Sequence, residues 1–229
     1  MNTENGSKNI VLYSHGFGVR EDDRGLFTDI ASSLSSFSHV MFDYNQFDED
    51  TNTLIVAPLD AQAEMLKSQY IRLRDNNPSA VIDLICHSQG CVVSGLTALE
   101  GVRNVIMLAP PTQFRSSEHE IQQMLQREGA VMEDGVVRYP RRDGSITIIK
   151  QDYWASRDKV PSLIELYNNL STRSQVLIVD ALNDEVLTET DYSGLIGDIA
   201  LIHEEASHDF TDESRQALIA KITSTLTRD

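Results

Sequence analysis

The sequence predicts an α/β fold in which a mostly parallel sheet of about six strands is flanked by helices. Short apolar runs alternate along the chain with longer segments whose apolar residues recur at helical spacing. Several of the short runs are apolar at consecutive positions, as expected for strands buried on both faces. At 229 residues the chain suits one domain of this kind, and we expect residues 1–229 to form a single domain.

The first half of the chain alternates between strand and helix patterns. The run NIVLYS and the run SHVMFDY are rich in β-branched and aromatic residues, which favours strands, and a polar stretch, NQFDEDTNT, is expected to be a loop. Pro58 suits the first turn of the next helix. The predicted elements are a strand at 9–14, a helix at 26–34, a strand at 38–44, a loop at 45–53, a helix at 58–74, a strand at 80–86 and a helix at 89–99.

The second half contains one long interruption. Strands are predicted at 104–109, 175–181 and 199–205, with a final helix at 214–226. About 65 residues separate the first two of these strands, which is too long for an ordinary connection. This stretch carries a helical pattern at 120–130, a hairpin pattern at 136–150 and another helical pattern at 160–170. We expect residues 112–156 to form an inserted cap or lid over the carboxyl edge of the sheet.

Charge and composition limit the classes of partner. The chain has 19 basic and 35 acidic residues, and its formal net charge of −16 disfavours nucleic acid and anionic membranes. The longest apolar runs are too short to span a bilayer, and the polar start, 1–8, does not look like a signal peptide. We therefore expect a cytoplasmic protein, a monomer or homodimer. Cys86 and Cys91 point in different directions on a strand-to-helix path, so no disulfide is expected, and no metal-ligand spacing is present.

Polar residues follow four of the predicted strands where each strand ends. They are SHGFG at 14–18, HSQG at 87–90, ND at 183–184 and SHD at 207–209. Ligands bind outside the carboxyl ends of the strands in open parallel sheets, so these four segments are expected to converge on one edge.

One residue in each of three segments offers a role in nucleophilic chemistry. A serine hydroxyl is a weak nucleophile and needs a base, which in turn needs an acid to orient it. Ser88, Asp184 and His208 supply these types in the order Ser, Asp, His. Taken alone, Ser88 could equally be a helix N-cap.

Other residues compete for two of these roles. Asp180 lies within a strand pattern, and Asp191 lies at a helix start where a capping role is expected. His203 continues an apolar strand and is expected to be a core or edge residue. Tyr153 and Trp154, in the inserted segment, are expected to serve packing.

The order Ser, Asp, His and the turn around Ser88 resemble the α/β-hydrolase superfamily. The resemblance extends over residues 8–226, and the inserted segment is similar to that of small serine carboxylesterases of the cinnamoyl or feruloyl type. Two departures are present: Cys86 stands where the turn has its first glycine, and the residues 43–45 stand where relatives have a glycine-rich turn.

The resemblance implies the α/β-hydrolase fold and a role for each residue. Ser88 would be the nucleophile, His208 the general base and then acid, and Asp184 the orienting carboxylate. The backbone N–H groups of Phe17 and Gln89 would form the oxyanion hole. It implies no metal and no organic cofactor.

The function expected from this resemblance is hydrolysis of a small-molecule carboxylic ester, with a short-chain or aromatic acyl group, through an acyl-enzyme on Ser88. Thioesters, short-chain lipids and peptide-like amides remain open as substrates, because the same residues serve each of them. A dehalogenase or epoxide hydrolase with an aspartate nucleophile is disfavoured, because the turn presents a serine. A binding protein that keeps the fold without turnover is a further alternative.

Overall fold

Six parallel strands form the central sheet of the protein. The computed structural model describes residues 9–141, 143–211 and 213–227. The strands are β1 (Asn9–Ser14), β2 (Ser38–Val40), β5 (Val81–His87), β6 (Val102–Leu108), β10 (Gln175–Ala181) and β11 (Ile199–Glu204). Their spatial order is β11-β10-β6-β5-β1-β2, and each adjacent pair is parallel. This confirms the predicted sheet of about six strands.

Seven helices are assigned in the described part of the chain. They are α1 (Leu26–Ser33), α2 (Leu59–Asn76), α3 (Gln89–Thr97), α4 (Ser117–Leu125), α5 (Gln151–Arg157), α6 (Leu163–Ser171) and α7 (Glu213–Leu226). Pro58 precedes α2 as its N-cap residue. The helix α5 was not among the predicted elements, because its seven residues are too few for a periodic pattern to be read.

The sheet is covered on both faces by separate hydrophobic clusters. Along β1, Ile10 and Leu12 belong to one cluster, with residues of α2, α3 and α6. Val11 and Tyr13 belong to the other, with residues of α1 and α7. Alternate residues of a strand point to opposite faces, so a strand with both faces covered is apolar at every position.

A second sheet of five strands includes the three strands of the long interruption. Its strands are β3 (Gln46–Asp48), β4 (Thr53–Ile55), β7 (Val131–Glu133), β8 (Val136–Pro140) and β9 (Ile146–Ile149). The hairpin prediction is confirmed, since β8 and β9 are antiparallel. The loop prediction for 45–53 was wrong. This stretch contains β3 and the turn that leads into β4, with which β3 is antiparallel, and β4 in turn pairs with β9. The predicted cap thus has strand partners outside its predicted limits, 112–156.

Within the described residues, none of the helices combines the length and the apolar character that crossing a membrane requires.

Candidate active site

Ser88 lies at the junction between β5 and α3 with a backbone geometry that non-glycine residues rarely adopt. Its φ is 50° and its ψ is −122°. Its side chain makes no capping hydrogen bond to α3, so the N-cap interpretation does not hold. A residue in such a sparsely populated region costs about 1–3 kcal/mol and persists only where its surroundings hold it. The backbone N–H of Ser88 is held by the carbonyl of Leu108 at 2.8 Å.

The turn around Ser88 is tightly packed on both sides. A Cβ at Gly90 would lie 2.0 Å from the backbone oxygen of Ser14, so only glycine fits there. Cys86, which replaces the first glycine, is fully buried, and its thiol contacts the carbonyl of Ile106 at 3.4 Å. Cys86 and Cys91 are both free, buried thiols.

The structure brings Ser88, His208 and Asp184 into one hydrogen-bonded series. His208 Nε2 lies 2.9 Å from Ser88 Oγ, and His208 Nδ1 lies 2.6 Å from Asp184 Oδ2. An ionised carboxylate can only accept, so Nδ1 carries the proton and Nε2 accepts from the serine hydroxyl. The side chains of His208 and Asp184 are each 6% exposed, which shields both hydrogen bonds from water.

Asp184 is held by backbone donors as well as by His208. Its Oδ1 accepts from the N–H groups of Val186 at 2.7 Å and Leu187 at 2.6 Å. Burial raises the pKa of Asp184, but the hydrogen bond and charge of His208 and these backbone donors outweigh burial and lower it below its ordinary value. The carboxylate form is therefore favoured.

The competing residues have other partners. Asp180 pairs with His203 at 2.9 Å, and the His203 side chain is 51% exposed on the edge strand β11. Asp191 accepts from the N–H of Ser193 in a turn and not at a helix start. Asp184 is the one of the three carboxylates that contacts His208.

The two residues predicted to supply oxyanion donors belong to segments that adjoin Ser88. Gln89 is the first residue of α3, where the backbone N–H has no acceptor within the helix. Phe17 follows Gly16, and a Cβ at Gly16 would lie 3.4 Å from Ser88 Cβ. The loop after β1 therefore runs against the serine.

The Gln89 side chain is buried and held by two neighbours. Tyr153 Oη donates to Gln89 Oε1 at 2.6 Å, and Gln89 Nε2 donates to Gln62 Oε1 at 3.1 Å. Tyr153 is 3% exposed, and its ring also packs against Phe17 with the ring centroids 5.4 Å apart. Tyr153 thus does pack, as expected, but it also links the inserted segment to Gln89.

A second buried pair lies directly behind His208. Asp23 Oδ2 is 2.8 Å from His87 Nδ1 and accepts from the N–H of Gly16 at 2.8 Å. His87 Nε2 is 2.9 Å from the backbone oxygen of His208. Burial opposes ionisation of both groups, but the charges and hydrogen bonds of the pair outweigh it, setting the pKa of Asp23 at about 2 and raising that of His87 above its ordinary 6.5. Both shifts favour an ionised carboxylate beside an imidazolium.

One cluster of potential metal ligands exists in the described part of the chain. It comprises His87, His208 and Asp209, whose donor atoms lie within 4.8 Å of one another. All four ring nitrogens of the two histidines already have hydrogen-bond partners. The cluster therefore has no free histidine nitrogen to offer to an ion.

A cavity of about 370 Å³ opens beside Gly18, the residue after Phe17. It lies between the loop after β1 and the second sheet. Its lining includes Gly18, Val19, Arg20, Arg24, Phe47, Leu54 and Arg141. A larger cavity, of about 660 Å³, lies between α7 and the strands β10 and β11, and none of the residues above lines it. Ser88, Asp184 and His208 line neither cavity, and the smaller one borders the loop that carries Phe17.

Solved structures with the same architecture include esterases and lipases. The α/β hydrolase GrgF from Penicillium sp. sh18 is 18% identical with a TM-score of 0.70, covering 96% of this chain and 89% of that chain. A monoacylglycerol lipase from Paleococcus ferrophilus is 14% identical with a TM-score of 0.68, covering 96% and 95%. Est1E from Butyrivibrio proteoclasticus, solved with ferulic acid bound, is 14% identical with a TM-score of 0.67, covering 99% and 92%.

The chain has the α/β-hydrolase fold. No protein-family model matches the sequence. No curated protein matches it either. The likeness therefore concerns the fold, and any argument about chemistry rests on this chain's own residues.

Sequence reasoning missed two buried groups of the candidate site. His87 lies inside the quoted HSQG segment, and Asp23 lies in the polar run EDDRG. Nothing in that run distinguishes Asp23, which is 3% exposed, from its exposed neighbour Glu21. A histidine directly before the serine was the one available signal.

Proposed function

We propose that this protein is a serine hydrolase that cleaves small carboxylic esters through an acyl-enzyme on Ser88. The observation that carries the proposal is the series from Ser88 Oγ through His208 to Asp184, with distances of 2.9 and 2.6 Å. A serine with an adjacent base that is oriented by a carboxylate is the arrangement used for acyl transfer.

Each group has a defined task in the proposed reaction. Ser88 Oγ attacks the ester carbonyl carbon while His208 Nε2 takes the hydroxyl proton, and the carbonyl electron pair moves to its oxygen. Collapse of this intermediate breaks the bond to the alcohol, which leaves with the proton from His208. Water, deprotonated by His208, then attacks the acyl-enzyme; the carboxylic acid leaves and Ser88 regains its proton.

The backbone N–H groups of Phe17 and Gln89 are proposed to stabilise the oxyanion. Each such donor is worth about 3–4 kcal/mol in this chemistry. The position of Gln89 at the start of α3 and the contact of the loop at Gly16 with Ser88 support this assignment.

The inserted segment, 112–156, is proposed to act as the cap that selects the acyl group. Support comes from the cavity beside Gly18, which is closed on one side by Arg141 of that segment. Phe47 and Leu54 give this cavity an apolar portion, and charged residues that include Asp22, Arg24 and Asp143 line much of the rest.

Ester hydrolysis tests the proposal directly. We would assay p-nitrophenyl esters from acetate to dodecanoate, methyl ferulate and one acyl thioester with the wild type and with Ser88→Ala. Ser68→Ala, an exposed position on α2, is the matched control. Turnover of oxygen esters that is lost in Ser88→Ala and kept in Ser68→Ala is expected. Turnover that survives Ser88→Ala would remove the assignment, and preference for the thioester would change the substrate class.

A further inference from the structure

The buried pair Asp23 and His87 joins the two halves of the candidate site. The two side chains are 1% and 2% exposed. Asp23 accepts from the N–H of Gly16, which directly precedes Phe17. His87 contacts the backbone oxygen of His208. A single chain of three hydrogen bonds thus runs from the loop after β1, through β5, to the loop after β11.

The acceptors at the two ends of His87 determine which of its ring nitrogens carry protons. The carbonyl of His208 can only accept, so His87 Nε2 carries a proton. The ionised Asp23 can also only accept, so His87 Nδ1 carries one as well. His87 therefore donates in both directions, and no neutral residue of the same shape provides two such ring donors.

Stability alone does not account for a buried ion pair. Desolvating two charges costs several kcal/mol, and well-packed apolar residues of similar volume often stabilise a protein as well or better. What the pair provides in addition is fixed geometry at both of its ends. One end is the backbone beside the proposed oxyanion donor Phe17, and the other is the backbone of the proposed base.

We propose that Asp23 and His87 are positioning residues, which fix the loop carrying Phe17 and the loop carrying His208 relative to one another. The proposal rests on the proposed function of Ser88 and His208. The rings of His87 and His208 also pack against each other, with centroids 5.0 Å apart. Displacing a reacting group by about 1 Å can cost on the order of 100-fold in rate.

Two substitutions of His87 separate its two hydrogen bonds. His87→Gln keeps an amide donor near the position of Nε2, facing His208, and loses the donor to Asp23. His87→Asn keeps a donor near the position of Nδ1, facing Asp23, and loses the one to His208. Both variants remove the charge, so they differ mainly in which contact survives.

The pair His203 and Asp180 provides a matched control. It has the same atoms in contact, His Nδ1 and Asp Oδ2, at 2.9 Å, but it contacts none of Ser88, His208 and Asp184. His203→Asn should leave turnover unchanged.

Turnover per active site distinguishes positioning from folding. We would titrate active sites with a fluorophosphonate and measure kcat and KM for p-nitrophenyl acetate. Each variant breaks one bond of the series between the two loops, so kcat per titrated site should fall about 10- to 100-fold below the wild type in both, with KM little changed. Wild-type kcat in either folded variant would overturn the proposal.

Asp23→Ala keeps the test decisive if neither His87 variant folds. Gly16 N–H and His87 Nδ1 both donate to Asp23 Oδ2, so removing this carboxylate takes away both contacts. Its kcat should fall about 10-fold or more. An unchanged kcat per site would contradict the proposal.

Nuclear magnetic resonance of the histidine rings separates failure of this proposal from failure of the proposed function. Ring ¹⁵N and ¹H signals of His208 should move in both His87 variants, which lose the neighbouring ring and its charge, and should move further in His87→Asn, which also loses the contact with the His208 backbone. They should stay in place in His203→Asn. This readout needs no turnover. If the wild type cleaves no ester, the proposed function fails, while His208 signals that are identical in all variants would overturn the positioning role.

Discussion

Gly90 approaches Ser14 so closely that a Cβ on Gly90 would lie 2.0 Å from the carbonyl oxygen of Ser14. The contact brings the first turn of α3 against the end of β1. It is reinforced by Ser14 Oγ, which donates to the carbonyl of Gly90 at 2.9 Å. Ser88 and Gln89 lie in this same turn, so the position of the candidate nucleophile depends on the absence of one side chain.

Gly90→Ala should therefore lower both stability and turnover. The added methyl group meets backbone, which cannot rotate away, so α3 must move; overpacking of this kind costs about 1–3 kcal/mol. Urea unfolding and kcat measure the two effects. Gly197→Ala is the control, because its Cβ would meet nothing within 4 Å. Wild-type stability in Gly90→Ala would show that the turn is not tightly constrained.

Asp184→Asn should lower kcat on the order of 10⁴-fold with little change in fold. The amide can donate to His208 Nδ1, which then favours the tautomer in which Nε2 carries a proton and cannot accept from Ser88. Asp191→Asn, at an exposed turn, should retain wild-type turnover. If Asp191→Asn instead lost turnover, the acid would be misassigned.

Tyr153→Phe should reduce turnover as well as stability. The change leaves Gln89 Oε1 without its 2.6 Å donor, and a buried unsatisfied group costs about 1–3 kcal/mol. Tyr167→Phe removes a comparable buried bond, to the carbonyl of Pro111 at 2.7 Å, away from Gln89. We expect both variants to lose stability in urea and only Tyr153→Phe to lose kcat. Equal kcat in the two would mean that Tyr153 serves packing alone.

Arg141→Ala should change which esters are preferred more than it changes the chemistry. Arg141 lines the cavity beside Gly18, and its Nη1 lies 3.0 Å from the position of a Gly18 Cβ. The relative kcat/KM values over the ester series should shift, while kcat for the acetate stays similar. Arg138→Ala, an exposed position on β8, is the control. An unchanged ester profile in Arg141→Ala would count against the cap proposal.

The Asp23 and His87 pair should make stability depend on pH in two directions. The raised pKa of His87 means that its contribution is complete below its ordinary value of 6.5 and is lost as pH rises through the raised value. The depressed pKa of Asp23, about 2, means that its contribution is present above its ordinary 3.8 and is lost as pH falls towards 2. The pair therefore stabilises most between about pH 4 and pH 6.5.

Urea unfolding between about pH 5 and pH 9 checks this dependence. The difference in unfolding free energy between the wild type and His87→Gln should shrink as pH rises. The charge of Asp209 also raises the pKa of His87, so in the wild type it adds to the stabilisation that is lost as pH rises. A difference that stays constant over this range would show that His87 does not titrate with folding.

Much of the central sheet could be predicted because its strands are apolar on both faces. The runs 9–14, 175–181 and 199–205 match β1, β10 and β11 closely. Their order along the chain also predicted that Ser88, Asp184 and His208 would meet, because each follows the carboxyl end of a parallel strand.

The remaining features depend on contacts between distant segments. The strands β3 and β4 have three residues each, too few for an alternating pattern, and they pair with each other and, through β4, with β9 of the inserted segment. The buried carboxylate of Asp23 likewise has its partner, His87, 64 residues further along the chain. Local sequence carries no signal for either contact.

Labelling with a fluorophosphonate is the most direct test of the central claim, that Ser88 is an activated nucleophile. The intact mass should increase by one adduct, and peptide mapping should locate that adduct on Ser88. Ser88→Ala should remain unlabelled, while Ser68→Ala should label like the wild type. A folded wild-type protein that forms no adduct, or an adduct on another residue, would contradict the account.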